Sequence, residues 1–208
     1  MNSSGVYVVD VGVGNVNAII NILKKINIEF NIGSNIDDIK NASHIILPGV
    51  GGFSDFISKL KENNLLDFLR DFHSYEDKFL LGICVGMQVL GDISEEGEGE
   101  GLSLISGSIK LIEDSEVKIP HMGWNSIEIN SDDDIFNDID ISTGFYFLHS
   151  YYFYPIDKSH SISNFEYNKK TYPAFIKHKN VYGSQGHPEK SHDNGSRLIK
   201  NFCGLVNA

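Results

Sequence analysis

Cysteine is almost missing from this chain: Cys84 and Cys203 are the two among 208 residues. That count excludes a disulfide framework, and the two lie too far apart for a CxxC redox or zinc pair. Basic residues are scarce as well, 17 against 28 acidic, which leaves a formal net charge of -11 and a pI near 5.1. Nucleic acid or an anionic membrane surface wants clustered Lys and Arg, so the charge points to a small molecule or another protein as partner. No apolar run reaches the length of a bilayer span. The opening MNSSGVYVVDVG lacks the basic start and apolar core of a leader, so a cytoplasmic location is expected. Tryptophan occurs once, at Trp124, and nothing repeats at a fixed period. The acidic runs EEGEGE and DDD read as solvated loops. One domain covering residues 1–208 is expected at this length.

What is present is an alternation. Val6 to Val11 reads as a strand, followed by the glycines of GVGN and by Val16, Ile19, Ile20, Leu23 and Ile26 at helical spacing. Phe30 to Ile32 precedes a short helix near Ile36 to Lys40. His44 to Leu47 precedes PGVGGF and a helix from Ser54, and Phe79 to Ile83 precedes a helix from Val85. Short apolar strands alternating with amphipathic helices predict an α/β fold with a parallel sheet covered on both faces. From Gly101 to Tyr182 the pattern changes to short strands, LSLI, SIKLIE, WNSIEI, FYFLHSYYFYP, SISNFEY and YPAFIKHKNVYG, which should add antiparallel or mixed strands. The segment SHDNGSRLIKNFCGLV returns to helix.

Cys84 falls at the end of one predicted parallel strand, the side of an α/β sheet where ligands bind. Gly82 and Gly86 flank it as G-x-C-x-G, the thiol counterpart of a nucleophile elbow, and are expected to let the chain turn sharply. A sulfur at the first turn of a helix feels its positive end, which favours thiolate, and the Val85 amide would point where an oxyanion forms. The plain alternative is a small buried cysteine. A thiol nucleophile needs a base and the base an orienting group, and QGHPEKS offers His187 and Glu189 two residues apart, on one face if the segment is extended. A surface turn, or a metal held by His187, Glu189 and His192, is the competing reading; without an HExxH helix or a second ligand cluster no metal is expected. In PGVG, Pro48 to Gly51, glycine amides are free to swing toward a developing negative oxygen.

In chain order LPGVGGF, GICVGMQ, SEE at Ser94 to Glu96, PHMGWN, FLHSYY and HPEKS resemble a triad-type, class I glutamine amidotransferase. More closely, they resemble the glutaminase subunits of imidazole glycerol phosphate synthase, over nearly the full length from DVGVGN to Asn201 and Phe202. The resemblance implies the flavodoxin-like fold of that family in one domain. It implies that Cys84 attacks the side-chain amide of glutamine, that His187 held by Glu189 protonates the departing ammonia, and that a glutamyl thioester is then hydrolysed. It also implies that Val85, Val50 and Gly51 serve the oxyanion, and that Gln88, Glu96, Ser150 and Tyr151 hold the amino-acid end of glutamine. No cofactor is implied. Ammonia in such proteins passes to a docked (β/α)₈ barrel synthase, and Met122, Trp124, Tyr146 and Lys190 are the residues expected to meet it or to link the two sites.

The chain departs from the family pattern at Val11, Val85 and Gly186, where an aromatic, a leucine and a phenylalanine are usual. Gly186 is expected to loosen the packing of His187. Two rival readings follow: a paralogue with the same chemistry at Cys84 that feeds a synthase acting on a surface-polysaccharide sugar, and a non-catalytic binding subunit. A dinucleotide site at VDVGVGN is weak, since Asn17 stands where GxGxxG needs its third glycine.

Overall fold

Val6–Val9 forms the first strand (β1), shorter than the apolar run suggests because the Asp10 carboxylate accepts the Gly12 amide at 2.9 Å and turns the chain. The computed structural model describes residues 5–113 and 118–206, so the leader reading of Met1 to Ser4 lies outside it. After β1 come α1 (Val16–Lys25), β2 (Phe30–Gly33), α2 (Ile36–Asn41), β3 (His44–Gly49), α3 (Phe53–Glu62), α4 (Leu66–Arg70), β4 (Phe79–Cys84) and α5 (Val85–Gln88). The second half holds β5 (Ile93–Ser94), β6 (Gly107–Leu111), β7 (His121–Asn125), β8 (Glu128–Ile129), β9 (Phe145–His149), β10 (Tyr151–Pro155), β11 (Ser161–Tyr167), β12 (Lys170–His178), β13 (Val181–Ser184) and α6 (His192–Cys203).

Eight strands make the main sheet in the order β2-β1-β3-β4-β13-β12-β11-β8. The first five run parallel and the last three join antiparallel. Every residue of β1, β3, β4 and β13 is buried, so both faces of these strands are covered, as an α/β layer structure requires. On one side α1 packs with α6, and a second helical group joins α3 to α4 and α5. Outside the main sheet stand a three-stranded sheet, β10-β6-β5, and a two-stranded ribbon, β7-β9. The apolar LSLI is not a strand: Leu102 and Leu104 are buried in a loop whose amides donate to the carbonyls of Val89 and Leu90. Among the described residues no helix is long and apolar enough to cross a membrane.

Register decides where the chemistry can sit. Gly49 on β3 pairs with Cys84 on β4, and Ser184 on β13 pairs with Ile83. Three adjacent parallel strands therefore end together, and the loops leaving them meet at one edge. Close packing there depends on glycine. A Cβ at Gly86 would stand 2.0 Å from the Leu47 carbonyl oxygen, and one at Gly82 would stand 2.3 Å from that of Gly86. The backbone of α5 is thus seated directly on β3 and β4. Gly86→Ala is expected to cost about 1–3 kcal/mol through overpacking, lowering the thermal midpoint by roughly 3–10 °C. An unchanged midpoint in a thermal melt would contradict this contact.

Candidate active site

Cys84 ends β4 with φ 54 and ψ -110, a backbone state that L residues avoid and that costs on the order of 1–3 kcal/mol. The strain of the turn therefore falls on the cysteine itself. Neither Gly82 nor Gly86 has positive φ, so their part is to permit close approach and not, as the sequence suggested, to make the bend. The following helix is a single turn, Val85–Gln88, shorter than the sequence suggested, and its dipole is correspondingly small. Electrostatics at the sulfur must come from side chains.

They come from the segment after β13. Pro188–Lys190 is one turn of 3₁₀-helix, not an extended stretch, and this turn brings Glu189 Oε1 within 2.9 Å of His187 Nδ1. Because the carboxylate accepts, Nδ1 carries the proton, leaving Nε2 for the side chain of Cys84. Burial pushes the His187 pKa down, but hydrogen bonds to Cys84 and Glu189, together with their charges, outweigh it and raise the value to about 10. The ring is also fixed through its backbone: His187 N donates to the Tyr146 carbonyl at 2.8 Å, and Ser191 Oγ donates to the His187 carbonyl at 2.7 Å. Gly186 does not leave a gap. A Cβ there would stand 2.9 Å from Cβ of Phe145 and 3.5 Å from Cε1 of Phe147, so β9 supplies the aromatic cover. Cys203 offers a contrast, since burial alone pushes its thiol up to about 12.

Cys84 and His187 open on a cavity of about 270 Å³ that also exposes Val50, Gly51, Val85, Gln88, Glu96, Ser150 and Tyr151. These residues, far apart in sequence, share one space. Glu96 Oε2 accepts the Phe53 amide at 2.8 Å, tying it to the start of α3 just beyond the Val50 loop. Gln88 Nε2 donates to the Tyr151 carbonyl at 3.1 Å and to Gln185 Oε1 at 3.2 Å. The cavity walls further include Pro120, Leu148 and His149, and the fully buried Gln185 points its amide nitrogen at the Cys84 sulfur, 3.7 Å away. None of these four was given a role from sequence, although Pro120 lies in PHMGWN, Leu148 and His149 in FLHSYY and Gln185 in QGHPEKS. A larger open depression of about 640 Å³ lies at the opposite end of β4, near Phe79.

Met122 and Trp124, on β7, are 62% and 43% exposed, so Trp124 is not a core residue. Trp124 stacks on His192 at 5.4 Å and meets Tyr146 edge-on at 6.4 Å, while Lys190 Nζ sits 5.3 Å from the centre of the Tyr146 ring. His192 is therefore turned to tryptophan and not to a site shared with His187 and Glu189.

The nucleophile-elbow cysteine, the buried His-Glu pair and the mixed sheet are the features of one class of protein, and residues 7–205 match the glutamine amidotransferase class-I family. The chain belongs to that family. It is 38% identical over 202 residues to the imidazole glycerol phosphate synthase subunit HisH of Leptospira borgpetersenii, covering 95% of this chain and 98% of that protein. It is likewise 38% identical over 202 residues to the imidazole glycerol phosphate synthase subunit HisH 2 of Pseudomonas aeruginosa, covering 97% and 100%. A crystal structure of a glutamine amidotransferase matches with a TM-score of 0.71 at 16% identity over 98% of this chain and 100% of that one. PurLQS from Thermotoga maritima matches at 0.70, with 18% identity over 97% and 98%. These two likenesses speak to the fold alone.

Since the His187 pKa in the fold lies above the ordinary 6.5, the protonated ring stabilises the protein fully below about pH 6.5, and that contribution is lost as pH rises through about 10. The stability difference between the wild type and Glu189→Gln should therefore be widest near pH 6 and should close toward pH 10. Unfolding measured at both ends checks it, and a difference independent of pH would show that Glu189 does not hold the imidazolium.

Proposed function

We propose that this chain is the glutaminase subunit of an imidazole glycerol phosphate synthase and that it hydrolyses glutamine for a partner subunit of histidine biosynthesis. The observation that carries the reading is the convergence of Cys84 and the His187–Glu189 pair on a cavity of amino-acid size, walled by Gln88, Glu96, Ser150 and Tyr151. The names of its near full-length relatives support the histidine-pathway acceptor over a sugar-modifying paralogue.

In this reaction the Cys84 sulfur attacks the side-chain amide carbon of glutamine and a C–S bond forms. Negative charge gathers on the amide oxygen, to which the N–H groups of Val85, Val50 and Gly51 donate hydrogen bonds. His187, protonated and oriented by Glu189, gives its Nε2 proton to the leaving nitrogen, and the C–N bond breaks to release ammonia. His187 then takes a proton from water, whose oxygen attacks the thioester, and glutamate leaves with the thiolate restored. Glu96 and Gln88, with the Ser150–Tyr151 turn, hold the α-ammonium and α-carboxylate. No step calls on a cofactor or a metal.

Ammonia is mostly protonated at neutral pH and then carries no lone pair, so its delivery needs a path shut off from water. The partner we assign is a (β/α)₈ barrel synthase docked over the exposed Met122 and Trp124, with Tyr146 and Lys190 beside them. Methionine and tryptophan there are the anchor types that interfaces favour.

Glutamate formation by the full chain is expected to rise strongly when the barrel synthase and its phosphoribulosyl substrate are added, and Cys84→Ala should lower the complex's rate by at least about a thousandfold. Turnover that survives Cys84→Ala would remove the nucleophile assignment. A Cys84-dependent rate that ignores this synthase would move the acceptor elsewhere.

A further inference from the structure

The site holds a second imidazole for which the reaction above has no use. His149, 6% exposed, lines the cavity with Cys84 and His187. Its Nδ1 lies 2.8 Å from the Tyr151 carbonyl oxygen, which can only accept, so Nδ1 bears hydrogen. Its Nε2 lies 3.2 Å from Nδ1 of His121, a ring buried on β7 against Phe147 and Phe165. A neutral His149 with hydrogen on Nδ1 offers a lone pair at Nε2, and His121 must donate to it from Nδ1. That places a lone pair on His121 Nε2, which faces the Asn125 side-chain nitrogen at 3.4 Å. The orientation of this amide is set independently, because the same nitrogen donates to the Glu166 carbonyl at 2.8 Å. Every proton in the row is thereby assigned from its two ends, and both rings are neutral. Protonating His149 sets two N–H groups against each other, or flips His121 and sets its Nε2–H against the Asn125 amide.

At the other end the row reaches the sulfur. The Tyr151 carbonyl also accepts from Gln88 Nε2, Gln88 donates to Gln185 Oε1, and Gln185 Nε2 points at Cys84 Sγ. We propose that His149, held in its neutral Nδ1–H form by His121, is a positioning residue that fixes the Tyr151 carbonyl and the Gln88–Gln185 amides against Cys84 and leaves the positive charge of the cavity to His187. The inference rests on the glutaminase reading above. It adds His149, His121 and Gln185 to the set that reading uses.

Other groups bear on the same charge state. His121 on β7 and His187 after β13 both oppose a proton on His149, while the Tyr151 carbonyl on β10 favours one. Cys84 and Glu96 face the same cavity, and the Tyr167 ring of β11 lies 4.2 Å from His121. Burial dominates at both rings, taking His149 down to about 3 and His121 to about 4.

The test has two arms. Ring-nitrogen NMR of the full chain is expected to show both histidines as neutral Nδ1–H tautomers from about pH 8 down to about pH 5. An Nε2–H tautomer, or titration of either ring above pH 5, overturns the proposal even if no variant folds. In the second arm, glutaminase pH profiles are taken in the assembled complex. His121→Phe keeps an aromatic ring against Phe147 and Phe165 but has no donor, which leaves the buried lone pair of His149 Nε2 without a partner and the ring free to turn. The variant's rate should lie at least about fivefold below the wild type across pH 5.5 to 8, whereas His121→Asn, which restores an N–H donor, should follow the wild type. Superimposable profiles for wild type and His121→Phe, or failure of His121→Asn to rescue, would end the positioning role. Failure of the glutaminase reading looks different: the wild type would then show no Cys84-dependent rate, and the NMR result would stand by itself.

Discussion

The turn at the end of β4 forces residue 84 into φ 54 and ψ -110, and most of what surrounds it can be understood as holding that one residue there. A non-glycine residue in this state persists only where its neighbours over-determine it. Here β3 and β13 flank β4 in parallel register, and Gly82, Gly86 and Gly49 bring backbones within distances that no Cβ would allow. The strain aims the sulfur out of the sheet and into the cavity instead of into the core beside Ile83. The strain sits in the backbone of Cys84 and is offset by burial of the strands around it.

Positioning of the imidazole follows from the same geometry. β13 lies next to β4, so the residues leaving its end arrive beside Cys84, and a single 3₁₀ turn carries Glu189 back under His187. The cavity thus combines one imidazolium, raised by its acidic neighbours, with a neutral imidazole row locked by directed hydrogen bonds. Two histidines a short distance apart have opposite charge preferences because one faces a carboxylate and a thiol while the other faces a carbonyl and another imidazole.

Much of this was legible in the chain. VYVV, HIILPG and FLLGIC are unbroken apolar runs before glycine-rich turns, and runs of that kind become buried parallel strands. Cys84 between two glycines, and His187 two residues before Glu189, could be named because both are local patterns. Long-range pairing was not legible. That β7 and β9 form a ribbon of their own, or that LSLI is buried as loop, depends on partners chosen across the fold, which alternation along one segment does not encode. Gln185 and His149, although inside the quoted QGHPEKS and FLHSYY, received no role for the same reason: what a buried amide or imidazole does appears only when the atoms it faces are known. The surroundings of Gly186 illustrate the point from the other side, since Phe145 and Phe147 on β9 fill the place where the sequence suggested a loss.

The proposed nucleophile toward a glutamine-shaped electrophile is Cys84 and not Cys203. Intact-mass and peptide mass spectrometry after incubation with a diazoketone or chloromethyl ketone analogue of glutamine tests it most directly. A single adduct per chain is expected, located on Cys84 and suppressed by excess glutamine. An adduct on Cys203, or labelling of Cys84 that glutamine does not slow, would contradict it.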